Sequence, residues 1–139
     1  WQPREAIVIR RLLERLKRTY AIDDSRVVLY GDRAGGSMAY LAGISAARTA
    51  IRGLVTIDAA LAPDAAIPPA DPLVRLSIYS MIQSAGGNLA ARIAGDAAAF
   101  RDQKYPVTER RVGRAAEAGS LGGRDFDELL RWIDSLDRL

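Results

Sequence analysis

Residues 26–30, Arg-Val-Val-Leu-Tyr, form an apolar run without polar alternation that ends on a glycine-bearing turn, residues 31–36. A strand open to water on one face alternates apolar and polar side chains, whereas a strand covered on both faces does not. The run therefore predicts a strand inside a parallel sheet. Similar runs follow at 51–58 and 73–80, and a fourth is expected within 105–112, with Pro106 near its start. The intervening segments carry helical periodicity. Residues 3–20 bring Ile9, Leu12, Leu13, Leu16 and Tyr20 to one face behind Pro3, a residue suited to a first turn. A second helix is expected over 34–47, with Met38, Leu41 and Ile44, and a third from a cap at Asn88 to Gln103. A fourth, capped by Asp125, has Phe126, Leu129, Leu130, Ile133 and Leu136 as its inner face. Residues 59–72 hold four prolines and predict an ordered loop. Strands alternating with helices give an α/β fold of about four mostly parallel strands, joined by right-handed crossovers, in one domain over 1–139.

Composition removes several classes of function. The chain has neither cysteine nor histidine. Thiol nucleophiles, disulfides and thiolate metal sites are excluded, and so are the commonest general base and the commonest transition-metal ligand. No metal site and no cofactor is expected. Twenty basic residues against seventeen acidic ones leave a net charge of only +3. The densest basic patch, Arg10, Arg11, Arg15, Lys17 and Arg18, has no interleaved aromatic platform, so it reads as a solvated helix face rather than a nucleic-acid footprint. No apolar run approaches the roughly 18 residues of a membrane span. Residues 1–20 read as an amphipathic helix rather than a signal peptide. The chain starts at Trp1 rather than Met, which predicts an excised or processed piece and leaves the compartment undecided.

One stretch carries a family likeness. Ile22-Asp23, then Arg26-Val27, lead into the strand, and Gly31-Asp32-Arg33-Ala34-Gly35-Gly36 leads into the helix. This resembles the α/β-hydrolase superfamily, especially its esterase and prolyl-oligopeptidase-like branch. There the same pattern holds the nucleophile elbow, Gly-x-Ser-x-Gly, on a sharp strand-to-helix turn. The resemblance implies that the chain is the C-terminal part of that fold, beginning at the helix before the elbow strand. It implies that small residues at Gly31, Gly35 and Gly36 let helix and strand approach. It also implies that the amide of Ala34 belongs to an oxyanion hole. The later segments Lys104-Tyr105-Pro106-Val107-Thr108 and Leu129-Leu130-Arg131-Trp132-Ile133-Asp134 look similar as well, less specifically.

The departures decide the expectation. The nucleophile position holds Arg33, whose guanidinium stays protonated and cannot attack a carbonyl. The family's acid would follow the third strand, where the chain reads Ser80-Met81-Ile82-Gln83-Ser84. Its histidine would lie in the loop that here reads Ser120-Leu121-Gly122-Gly123. With all three positions vacated, no catalytic residue is expected. Ser37 reads as a helix-surface or packing residue rather than a substitute nucleophile, and Lys104 with Tyr105 lies too far from the elbow to act as a base. Asp32 offsets the cation beside a helix N-terminus. Asp58, at the end of the second strand, either pairs with Arg33 or caps the strand end. Arg33 is either a relic or, with Ala34 and Asp58, a ligand-binding group for a small carboxylate or phosphate.

A sheet that starts at the elbow strand leaves residues 26–30 on an edge, although their sequence suits a centre. An apolar edge is an association template. It is expected to be covered by the rest of a parent polypeptide or by a second copy. The reading is thus a non-catalytic hydrolase-like interaction or scaffold module. The alternatives are a divergent esterase or peptidase completed by other parts of a parent chain, and a small-anion-binding domain using Arg33.

Overall fold

A computed structural model describes residues 3–45, 51–83, 86–113 and 121–138. The elements alternate as α1 (Pro3–Thr19), β1 (Val28–Asp32), α2 (Ala34–Ser45), β2 (Gly53–Ile57), β3 (Ser77–Ile82), α3 (Gly87–Asp102), β4 (Val107–Arg111) and α4 (Gly123–Ser135), with a 3-10 turn at Leu136–Arg138. The four strands form one parallel sheet in the order β1-β2-β3-β4. The expected α/β architecture is therefore present, and β1 and β4 are its two edges.

Alternation along each strand sends side chains to two cores. On one face Leu54 and Ile78 meet Tyr40 of α2 and Phe100 of α3, with Leu13 of α1 packed at the margin. Aromatic rings tie that core together. Tyr40 stacks on Phe100 at 5.4 Å, and Phe100 meets Tyr105 edge-on at 5.4 Å. The Tyr40 hydroxyl shares a hydrogen bond of 3.0 Å with Thr56 Oγ1, which satisfies both groups in the interior. On the other face Val55, Ile57, Tyr79 and Met81 pack under α4 through Leu129, Trp132 and Ile133. Every residue of β2 is buried, as its unbroken apolar run requires.

Several boundaries differ from those the sequence suggests. β1 runs two residues further, because Gly31 and Asp32 still pair with Thr56 and Ile57 before the chain turns. β3 begins at Ser77 rather than 73. Asp71 captures Leu73 and Val74 in a local turn, its Oδ1 accepting from the Leu73 N–H at 2.9 Å and its carbonyl from the Val74 N–H at 3.0 Å. Local aspartate bonding here outcompetes strand pairing. Asn88 does not cap α3. The helix starts at Gly87 behind Gly86, without a side-chain cap. Asp125 lies in the first turn of α4, where its Oδ2 accepts from the Gly113 N–H at 3.3 Å. The face of α4 is also rotated. Leu129 and Leu136 are buried and Trp132 stacks against Tyr79 at 5.1 Å, while Phe126 and Leu130 are 49% and 43% exposed. One helix alone covers that side of the sheet in the described residues, so only a narrow stripe of it finds a partner.

Two residues of the basic helix face are in ion pairs. Arg10 pairs with Glu14 at 4.0 Å and Lys17 pairs with Asp24. Among the described residues no helix is long and apolar enough to cross a membrane.

Candidate functional site

The site is built by the β1–α2 turn. β1 ends at Asp32, α2 begins at Ala34, and Arg33 alone makes the corner with φ 46°. A left-handed conformation at a non-glycine residue costs about 1–3 kcal/mol and persists only where its surroundings enforce it. Here the backbone is fastened on both sides. The Arg33 N–H donates to the Ile57 carbonyl at 2.8 Å, and its carbonyl accepts from the Ser37 N–H at 3.0 Å.

Two glycines make the corner possible by close approach. A Cβ on Gly31 would sit 2.3 Å from the Gly35 carbonyl carbon, and one on Gly36 would sit 2.4 Å from the Ala59 Cβ. Gly35 itself faces open space, so the close-approach role expected of it falls to its backbone rather than to its missing side chain. The amide of Ala34 belongs to the first residue of α2, directly after the corner.

The Arg33 side chain is 57% exposed and its Nη1 lies 3.7 Å from Asp32 Oδ2. That spacing and exposure make a loose ion pair, worth well under 1 kcal/mol. The other Asp32 oxygen, Oδ1, is buried without a hydrogen-bond partner.

Asp58 repeats the geometry one strand over. It follows β2, has φ 46°, and is only 5% exposed. Its N–H donates to the Met81 carbonyl at 3.0 Å, and its Oδ1 accepts from the Gln83 N–H at 2.8 Å. These bonds fasten the end of β2 to the end of β3. The aspartate interacting with Arg33 at 3.7 Å is Asp32.

Arg33 and Asp58 line one cleft of about 670 Å³ at the carboxyl edge of the sheet. Its remaining walls include Ser37, Leu41 and Ile44 of α2, the chain from Ala59 to Ala66, and Leu89 and Arg92 of α3. Ser37 is committed to structure, since its Oγ donates to the Ala60 carbonyl at 2.8 Å. Lys104 and Tyr105 precede β4, at the opposite end of the sheet from the corner, and Tyr105 is buried against Phe100.

The sequence reading missed a clamp. Asp96 Oδ2 accepts from the Leu61 N–H at 2.8 Å, and Arg92 donates to the Leu61 carbonyl at 2.9 Å. Burial pushes the Asp96 carboxyl above its ordinary value, against the pull of that amide and of Arg92. An Arg–Asp pair four residues apart on one helix was the available signal.

Around this site the expected acid and histidine positions fall as follows. Ile82 ends β3, and Gln83 donates its amide to Asp58. Ser84 and Ser120 lie outside the described residues, whereas Leu121, Gly122 and Gly123 lead into α4. Among the described residues no cluster of carboxylates could hold a metal ion. No protein-family model matches the chain, and no curated protein matches it either.

Proposed function

We propose that the chain is a non-catalytic α/β-hydrolase-like module that serves to hold a partner. One observation carries this reading: the residue at the apex of the strand-to-helix corner is a largely exposed arginine. A left-handed apex residue, glycine contacts at 31 and 36, and a helix starting one residue later support the likeness to a nucleophile elbow. A permanent cation at the apex and a sequence without histidine support the absence of acyl transfer. The partner surface is the β1 edge, with the rest of a parent polypeptide or a second copy as its occupant. Val8, Leu12 and Leu16 of α1 and Tyr20 just after it recur at four-residue spacing and remain exposed. Beside them a groove between α1 and β1 is lined by Ile9, Leu13, Ile22 and Leu29. Turnover of an activated aryl ester tests the reading: wild type and Arg33→Ala should both match the uncatalysed rate. Catalysis that survives in wild type would restore the alternative of a divergent esterase.

A second reading is favoured by the cleft itself. Arg33 and Asp58 line the same hollow, so Arg33 has a place in which to meet a small carboxylate or phosphate.

A further inference from the structure

The cleft carries Arg33 at one end of α2 and apolar side chains further along it. Arg33 stands just before the helix, whereas Leu41 and Ile44 line the cleft from positions seven and ten residues past Ala34. At 1.5 Å per residue they lie roughly 10 and 15 Å along the helix axis. Leu61 and Leu89 add apolar surface from the loop and from α3. The loop wall is fixed in advance, because both backbone groups of Leu61 are held by Arg92 and Asp96. A volume near 670 Å³ falls in the range of small-molecule sites.

From this arrangement we infer that the cleft binds an amphiphilic monocarboxylate. Its head meets the Arg33 guanidinium and its aliphatic tail runs past Leu41 toward Ile44. The inference rests on the anion reading above and narrows it. The charged groups facing the cleft are Arg33 and Arg92 on one side of the balance and Asp58 and Asp64 on the other. Two carboxylates in the same hollow disfavour a dianion such as phosphate more than a single charge. Of these four, Asp58 is buried and bound to the Gln83 amide, and Arg92 donates to the Leu61 carbonyl; the other two, both exposed, are Arg33, held loosely by Asp32, and Asp64 on the loop after β2. Of those two, Arg33 is the one that directly precedes the start of α2, and a planar carboxylate suits a guanidinium's paired N–H groups.

Calorimetric titration of the full chain with acetate, butanoate, hexanoate and octanoate, each below its micelle concentration, tests this. Inorganic phosphate and octylammonium serve as controls. Affinity should rise about fourfold for each methylene buried. Arg33→Ala should weaken octanoate at least tenfold, and Leu41→Asn should flatten the gain with chain length while acetate binding persists. Arg33→Lys, which keeps the charge but not the fork, should fall between wild type and Arg33→Ala. Circular dichroism identifies any variant that fails to fold. Arg33-dependent binding of acetate or phosphate with no gain from chain length would overturn the amphiphile and leave the anion reading standing. Octylammonium binding as well as octanoate, or octanoate indifferent to Arg33→Ala, would overturn the carboxylate anchor. No heat with any probe would overturn both readings.

Discussion

The two edges of the sheet are built to opposite specifications. β4 reads Val-Thr-Glu-Arg-Arg, its last three residues are exposed, and Glu109 and Arg110 hold ion pairs with Arg101 and Glu128. Charges along an edge discourage another strand from docking. β1 reads Val-Leu-Tyr-Gly-Asp, with Tyr30 48% exposed and no charge before Asp32. The contrast teaches that β4 is finished as a boundary, whereas β1 is shaped by the corner it feeds. Gly31 is there because the helix must touch the strand, and the edge carries no charge before Asp32.

The sharpest way to break this comparison is to place one alanine on each edge. Gly31→Ala forces a Cβ to within 2.3 Å of the Gly35 backbone. The expected loss is about 3 kcal/mol in denaturant unfolding, at the upper end of overpacking costs. At β4, Glu109→Ala should stay within about 0.5 kcal/mol, as a surface change does. Equal losses at the two strands would remove the distinction.

Next in size is the strand-end fastening beside the corner. Asp58→Ala leaves the Gln83 amide without its carboxylate acceptor and should cost about 1.5–3 kcal/mol. A thermal melt unchanged by this substitution would show that the carboxyl edge does not need the tie.

Association gives a third test. If β1 takes a second copy, Tyr30→Lys imitates β4 and should weaken self-association in sedimentation equilibrium. The converse change, Arg110→Val with Arg111→Thr, should make β4 newly adhesive.

The smallest effect concerns acid. Arg26, just before β1, donates to Asp137 at 2.8 Å and to Asp134 at 3.3 Å. The hydrogen bond from Arg26 holds the Asp137 carboxyl below its ordinary value, with the nearby charges adding to it. A lowered carboxylate contributes stability that is fully present above the unfolded value, about 3.9, and is lost as pH falls through the folded one. Asp137→Asn should therefore flatten the acid limb of a stability–pH curve and leave its neutral part nearly level. A curve with the same acid slope in both proteins would contradict this.

Much of this was legible in the sequence for a simple physical reason. Buried parallel strands advertise themselves as unbroken apolar runs, and a corner that needs contact between backbones demands glycine at 31 and 36. What escaped was local competition and tertiary choice. Nothing in the run 73–80 reveals that Asp71 bonds the next amides and delays the strand to Ser77. Nothing in the period of α4 says which of its apolar residues lack a partner, so Phe126 and Leu130 read as core although they lie in the open. The same limit hid Asp96, whose role depends on where the loop after β2 returns. The corner at Arg33 was readable in position, while Asp58 was readable only as an alternative between two partners. The structure shows one of them, the Gln83 amide.

The most direct test of a corner without a nucleophile is mass spectrometry of the whole chain after exposure to a fluorophosphonate ester. The mass should remain that of the unmodified protein, in wild type and in Arg33→Ala alike. A single stoichiometric adduct on wild type, mapped to Ser37 or to any other hydroxyl lining the cleft, would contradict it.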